Sequence, residues 1–390
     1  MQPAPQYASD FLARDWPLLL EACSLPRDPA KISALAAEIR DPESFFRLAD
    51  EHGVIAHLAS AFSTVSGVEI SAVLLDLLRT RHRAQLLSTL ALTAELFRML
   101  DLLRQSSVES LVIKGPVLAI RAYGDPAARQ YGDIDAIVRH VDIQRSAEIL
   151  VAAGYESRVP AEAIRGGKIP GQYLFLRPAT KVIFELHTER TLRYFPLPLP
   201  IENYFRHRTS VTIDGHAVPC LSAEHEFVLI SIHGAKHFWE RLMWISDIAA
   251  MVYNHPELDW KRVRQAAAEV GAERMVRLAL LLAQRLLGAA VPAEMKRDIA
   301  LDSVCPKLVR EIGSWLPYGG YAAPTMARRA AFRFRMRGRA LDGVSYLTRL
   351  SFGTTEEDWS ADVAAPRSRI AEILRRPLRL AKKYRREPGS

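Results

Sequence analysis

The sequence predicts a mixed α/β core over about residues 108–221, set between two helical regions. Three observations point there. The hydrophobic period changes from helical to alternating near residue 110. Turn chemistry such as Gly124-Asp125-Pro126 and Asp214-Gly215 punctuates the middle of the chain. Amphipathic stretches of helical period occupy both ends. Such an organisation puts a site in the core and makes helices its walls.

Before the core, Asp28-Pro29 and Asp41-Pro42 each offer an N-cap carboxylate followed by Pro at the first helical position. Gly53 supplies a C-terminal stop. Residues 72–104 read as one long helix, with Leu75, Leu78, Leu86, Leu90, Phe97 and Leu100 among its apolar positions and no Gly or Pro inside it. Residues 110–114 are a short β-like run ending at Gly115-Pro116, and 117–123 a short helix. A second strand runs over 131–138, with Ile134, Ala136 and Val138 in alternation. Residues 143–153 form a helix closed by Gly154. Residues 173–177 and 181–187, joined by Pro178-Ala179-Thr180, make a hairpin, and Asp214-Gly215 suits the type I′ turn of another. Ser222 caps a helix of about 30 residues. Helices over 259–270 and 272–287 follow. The expected units are an N-terminal helical region (1–107), the core (108–221), a C-terminal helical domain (222–300) and a basic helical extension (301–390).

The chain has 390 residues, 49% hydrophobic and 25% charged, which excludes a mostly disordered or collagen-like protein. No apolar run reaches the roughly 18 residues of a spanning helix. The nearest, 275–291, is broken by Arg277, Gln284 and Arg285. The N-terminus lacks the charged start and apolar core of a signal peptide, and Cys23, Cys220 and Cys305 fit neither a disulfide framework nor a zinc knuckle. A reducing cytoplasmic location is therefore expected. From residue 320 onward there are 16 Lys and Arg against 7 Asp and Glu, a net of +9; the whole chain is +8, so residues 1–319 sum to −1.

Gly132-Asp133-Ile134-Asp135-Ala136-Ile137-Val138 is the most informative segment. On a strand, residues i and i+2 share a face, so Asp133 and Asp135 stand together while Ile134, Ala136 and Val138 pack the other side. Convergent carboxylates repel, a conflict that a divalent cation relieves. On those grounds Asp135→Asn is expected to keep the fold and even to relieve repulsion. Oxygen ligands favour Mg²⁺ or Mn²⁺ over zinc. In 182–187, Val182, Phe184 and Leu186 form one apolar face and Glu185 stands on the other, beside Ile183 and His187. An acid in so apolar a strand is costly unless it meets a cation or a donor. The expectation is a metal shared by Asp133, Asp135 and Glu185; the alternative is an edge strand with Glu185 in water. Lys114 and Gly115 end a strand and open a turn where backbone amides can approach a phosphate. Lys114 and Arg129 are candidates to hold phosphate oxygens, the alternative for Arg129 being a salt bridge to an Asp.

This order of features resembles the DNA polymerase β-like nucleotidyltransferase superfamily. More closely, it is similar to the bacterial family usually described as uncharacterised nucleotidyltransferases. The matching pieces are Leu111-Val-Ile-Lys-Gly115, Tyr123-Gly-Asp-Pro126, Arg129-Gln-Tyr-Gly-Asp-Ile-Asp135, Gly154-Tyr155 and Phe184-Glu-Leu-His187. To these add His233-Gly-Ala-Lys-His237 and Arg241-Leu-Met-Trp-Ile-Ser-Asp247. The resemblance covers about residues 40–290. It implies an α/β nucleotidyltransferase core with a small mixed sheet. It also implies metal-dependent transfer of a nucleoside monophosphate from a nucleoside triphosphate to an acceptor (a small molecule, peptide, sugar, protein or RNA), with Asp133, Asp135 and Glu185 as metal ligands. The superfamily usually carries Gly-Gly or Gly-Ser in the turn, whereas this chain has Gly115-Pro116. A catalytically silent core that holds a nucleotide or partner is the alternative.

On a helical wheel over 227–249, one stripe carries His233, Lys236, His237, Glu240, Trp244 and Asp247, with Arg241 at its edge. Phe238, Leu242, Ile245 and Ala249 lie opposite. Facing the cleft, Lys236, His237 or Arg241 would meet phosphates and Trp244 a base. His233 and His237 also match a zinc-pair spacing, but no acid or Cys supplies an obvious third ligand. At the basic end, Arg328, Arg329, Arg333, Arg335, Arg337 and Arg339 interleave with Phe332 and Phe334. A second cluster comprises Arg375, Arg376, Arg379, Lys382, Lys383, Arg385 and Arg386. A solvated tail, a polyanion or nucleic-acid contact, and an anionic membrane surface are all compatible with this pattern.

Overall fold

Seven strands form one mixed sheet in a computed structural model that describes residues 6–65, 70–159, 164, 171–188, 200–322 and 325–338. They are β1 (Ser110–Ile113), β2 (Asp133–Val138), β3 (Glu156–Ser157), β4 (Gln172–Leu176), β5 (Ile183–His187), β6 (Thr209–Ile213) and β7 (His216–Cys220). Their spatial order is β3-β4-β5-β2-β1-β7-β6. β1 and β2 are antiparallel with Ile113 opposite Asp135. β2 and β5 are parallel with Asp135 beside Glu185. The expected hairpins are β4–β5 and β6–β7; Asp214 and Gly215 both take positive φ, as a type I′ turn requires.

Helices α1 (Gln6–Cys23), α2 (Pro29–Ala37), α3 (Pro42–His52), α4 (Ile55–Ser63) and α5 (Ala72–Gln105) precede the sheet. α6 (Gly115–Tyr123), α7 (Ile143–Ala152) and α8 (Ile201–Arg206) lie between strands. α9 (Ala223–Lys236), α10 (Leu242–Asn254), α11 (Trp260–Val270), α12 (Glu273–Leu287), α13 (Ala293–Ala300), α14 (Cys305–Gly313) and α15 (Met326–Arg335) follow. Their boundaries have local causes. The Asp28 carboxylate accepts from the Ala30 and Lys31 amides, and that of Asp41 from the Ser44 amide. Gly53 closes α3 in the left-handed conformation.

One face of the sheet, with Val112, Ile134, Ala136, Val138, Phe184 and Leu186, packs against Leu96, Met99 and Leu103 of α5 and Leu150 of α7. The other face carries Leu111, Ile113 and Ile137 against Tyr204, Phe205, Leu221 and Leu229. Helices from both ends of the chain share one further core, in which Leu19, Phe45 and Leu58 meet Trp239, Leu278 and Leu308. α5 spans 34 residues and joins two cores. Its buried stripe is Leu74, Leu78, Leu92, Leu96, Met99 and Leu103, whereas Leu90, expected inside, is 61% exposed. The stripe turns polar where the helix leaves one core for the next: Gln85 donates to the Ala127 carbonyl, and Thr93 pairs with the Tyr131 hydroxyl.

The long helix expected after Ser222 is two helices. α9 ends at Lys236, and Phe238 and Trp239 take φ of 60° and 52° before α10 begins. Positive φ costs a bulky residue about 1–3 kcal/mol. Burying an aromatic ring of 150–250 Å² returns roughly 4–6 kcal/mol. Phe238 and Trp239 are 1% and 0% exposed, so ring burial outweighs backbone strain, and periodicity over 227–249 carries no trace of it. Among the described residues no helix is long and apolar enough to cross a membrane.

Candidate active site

The site lies where the central strands meet the end of α9. Because β2 and β5 run parallel with Asp135 beside Glu185, the two carboxylates share a face, and His187, two residues on, shares it too. One ligand atom from each of Asp135, Glu185 and His187 lies within 4.8 Å of the other two. Asp133 lies one side-chain step back along the strand and is not in that set. The sequence placed Asp133 in the metal set and left His187 out of the site. The structure puts the imidazole in the tight cluster, because the register sets Asp135 beside Glu185, two residues from His187, and Asp133 beside Ile183, four residues from it. The signal was available: His187 has the parity of Glu185.

Asp135 is 2% exposed and doubly held. Lys114 Nζ is 2.8 Å from its Oδ2, and His187 Nε2 is 2.8 Å from its Oδ1. Burial pushes the Asp135 pKa up, but the Lys114 charge and the His187 hydrogen bond outweigh it and hold the carboxyl well below the usual range. The expectation that Asp135→Asn relieves repulsion is therefore reversed: a cation already neutralises Asp135, and amidation would strand Lys114. The Asp133 carboxyl, by contrast, is pushed up to about 6 by burial and then by Asp135. Glu185 accepts from the Gln172 side-chain amide and stands 3.6 Å from His187 Nε2.

Lys114 reaches the acids through an unusual backbone. In a regular strand it would follow Ile113 onto the opposite face. Its φ of 57° and ψ of −141° turn it back towards Asp135, and Gly115 continues the turn at φ 44°. Burial opposes the Lys114 charge, but Asp135, Asp133 and Glu185 raise its pKa on balance.

The other expected phosphate ligands divide. Lys236 and His233 reach a small cavity with Lys114 and His187, over Ile113, Leu229 and Ile232. His237, His233 and Trp244 form a ring cluster, with centroids 4.7–5.2 Å apart, although they belong to two helices and not to one stripe. Arg241 is exposed at the start of α10, its guanidinium 5.8 Å from the Trp244 ring centroid. Arg129 is engaged elsewhere: its Nε donates to both Asp247 oxygens at 2.9 and 3.0 Å, and one terminal nitrogen donates to the Gln130 carbonyl. Of the two readings the sequence left open for it, the structure forms the salt bridge.

The first arginine cluster is largely consumed within the fold. Arg329 pairs with Glu240 at 2.7 Å, Arg335 with Glu311 at 2.5 Å, and Arg333 lies over the Phe238 ring, while Phe332 is fully buried. Arg339 and the second cluster, 375–386, lie outside the described residues.

A family model described as an uncharacterised nucleotidyltransferase matches residues 38–288. The chain belongs to that nucleotidyltransferase family. The match spans α3 to α12, and so holds the whole sheet, the acidic cluster and the cavity beside it. α13 to α15 lie beyond it. A crystal structure of an antigenic nucleotidyltransferase-like protein from Paracoccidioides brasiliensis is 16% identical, with 54% of this chain and 94% of that chain covered at a TM-score of 0.28. At that score the likeness carries no weight for the site. A comparison with curated proteins gives no match.

Proposed function

We propose that this nucleotidyltransferase moves a nucleoside monophosphate from a nucleoside triphosphate to an acceptor, with release of pyrophosphate. The observation that carries the reading is the convergence of Asp135, Glu185 and His187 on neighbouring parallel strands. Two carboxylates and an imidazole form a donor set that suits a hard divalent ion, Mg²⁺ or Mn²⁺, with the imidazole favouring Mn²⁺. Bound there, the ion would polarise the α-phosphate and offset the charge of the triphosphate. The chain's own groups do the rest. Lys114 and His187 fix the orientation of Asp135, and the Gln172 amide fixes Glu185. Asp133, with its carboxyl pushed up to about 6, is suited to take the acceptor's proton near neutral pH. Lys114, Gly115 and Lys236 would meet the phosphates, with His237 and Arg241 at the open side.

A second reading, nucleotide holding without turnover, is favoured by one observation: both oxygens of Asp135 already have protein donors. One experiment separates the two. The protein is incubated with cell extract, Mn²⁺ or Mg²⁺ and each α-labelled triphosphate. Transfer of label that disappears in Glu185→Gln supports the transferase. Saturable triphosphate binding with no labelled product supports the second reading and sinks the first.

A further inference from the structure

We infer that the C-terminal helix α15, which lies beyond the residues matched by the family model, completes the active site: Arg333 is a positioning residue that clamps the turn after α9, and with it Lys236 and His237, beside the acids. The inference rests on the proposed reaction only for what those two side chains bind.

α9 ends at Lys236, and the chain then passes through Phe238 and Trp239 at positive φ before α10 begins. A helix end leaves carbonyls without intrahelical donors, and a strained backbone persists only where its surroundings hold it. The turn closes part of itself: the His237 amide donates to the His233 carbonyl and the Trp239 amide to the Gly234 carbonyl. Two more carbonyls of this stretch take donors from the C-terminal extension. Arg333 Nη2 donates to the Lys236 carbonyl at 3.4 Å, and Trp315 Nε1 to the Phe238 carbonyl at 3.2 Å. The Arg329 and Arg333 guanidinium groups lie 4.7 and 4.6 Å from the Phe238 ring centroid, and Arg329 pairs with Glu240 at 2.7 Å. A cation at this end of α9 also complements the helix dipole.

α15 has anchors of its own. Arg335 pairs with Glu311 of α14 at 2.5 Å, and Arg274 of α12 donates to the Arg335 and Arg337 carbonyls at 2.8 and 2.7 Å. Phe332 and Met336 are fully buried in the shared helical core. Without Arg333 the helix therefore keeps its place, whereas the turn loses a cap and a stacked cation. The site depends on that turn. Lys236 stands beside Lys114 and His187, and His237 contacts the His233 and Trp244 rings from the turn that joins their two helices. A turn that opens carries Lys236 and His237 away from Asp135 and Glu185. The Arg333 charge reaches the site too: after burial, Lys236 and Lys114, it is the next group that keeps His237 neutral.

The test compares the full chain with Arg333→Met, Arg333→Lys and, as a control on the same helix, Arg335→Met. Amide exchange over residues 234–241 is read by mass spectrometry. Binding of the α,β-methylene analogues of the four nucleoside triphosphates is read by calorimetry in Mg²⁺. Arg333→Met is expected to speed exchange in that stretch and to weaken binding by about fivefold or more, since only molecules with the turn closed bind. Arg333→Lys, which keeps a donor and a charge, is expected to fall between Arg333→Met and the wild type. Arg335→Met is expected to match the wild type in both readings. A merely structural arginine would lower the melting temperature and leave the affinity of the folded protein unchanged. Wild-type exchange over 234–241 in Arg333→Met, or wild-type affinity despite faster exchange, overturns the clamp. The outcomes are separable from those above. Faster exchange in Arg333→Met with no analogue bound by the wild type supports the clamp and sinks the transferase alone. Label transfer together with wild-type exchange and affinity in Arg333→Met sinks the clamp alone.

Discussion

Lys114 Nζ and Asp135 Oδ2 form a 2.8 Å ion pair in which the side chains are 12% and 2% exposed. The pair is held by a backbone that most residues avoid, with Lys114 at φ 57°. Breaking a buried pair by removing one partner costs about 3–5 kcal/mol. Strain of this kind stores about 1–3 kcal/mol, which glycine recovers in part. Lys114→Ala and Lys114→Gly lose the same ion pair, so the difference between them isolates the backbone. The glycine variant is expected to unfold at higher urea concentration, by about 1 kcal/mol. An alanine variant at least as stable as the glycine variant would show that the turn is not strained.

Arg129 and Asp247 are tied across the interior, with side chains 5% and 2% exposed. Arg129→Met should cost about 3–5 kcal/mol, because it leaves a buried carboxylate with Tyr123 as its remaining donor. Asp247→Leu should cost a similar amount, and the double variant should recover much of the loss. Chemical denaturation of all four proteins closes the cycle. If Arg129→Met kept wild-type stability and instead weakened triphosphate binding, the phosphate role expected from the sequence would stand.

His52 and His57 are buried neutral. Burial, and then Arg241, pushes His52 down to about 4; burial, and then Arg27 and Arg129, pushes His57 down to about 3. The unfolded chain protonates both near pH 6.5, so between that pH and about 4 it binds more protons than the folded chain. Their contribution is complete above pH 6.5 and is lost as pH falls, at roughly 1.4 kcal/mol per pH unit for each histidine. His57→Gln should flatten the fall in melting temperature between pH 6.5 and 4. An unchanged slope would mean that His57 is charged in the fold.

Gly234 lies under the Trp239 ring. A Cβ added there would sit 2.4 Å from the ring, and a fully buried indole at φ 52° has no room to retreat. Gly234→Ala should destabilise by about 1–3 kcal/mol, as overpacking does. It should also shift the Trp239 fluorescence, since the ring is the group displaced. A variant with wild-type stability and emission would show that the turn between α9 and α10 is loose.

Much of the fold was legible because its causes are local. Asp28 and Asp41 cap the helices that begin at the next residue, and Asp214-Gly215 makes its hairpin. The strand parity that puts Asp133 with Asp135, and Glu185 away from Phe184, is a property of any extended chain. Each signal acts over two to four residues, a range that residue type and spacing describe.

Which of those residues meet depends on how the elements pack. Asp135 finds His187 across a separation of 52 residues, and Arg129 finds Asp247 across 118. Parity puts His187 on the face of the acids, but neither pairing is fixed by period or composition, because a buried charge takes whichever counter-charge the packed elements bring within reach. The break at Phe238 and Trp239 has the same origin. The local pattern favours an unbroken helix, and the cores formed by α3, α10 and α15 reward two buried rings by more than the strained backbone costs. Local pattern thus accounts for most of the elements, for the caps at Asp28 and Asp41 and for the face on which the acids stand, but not for the break at Phe238 and Trp239. Packing determined the partners, since burial energy depends on neighbours that are distant along the chain.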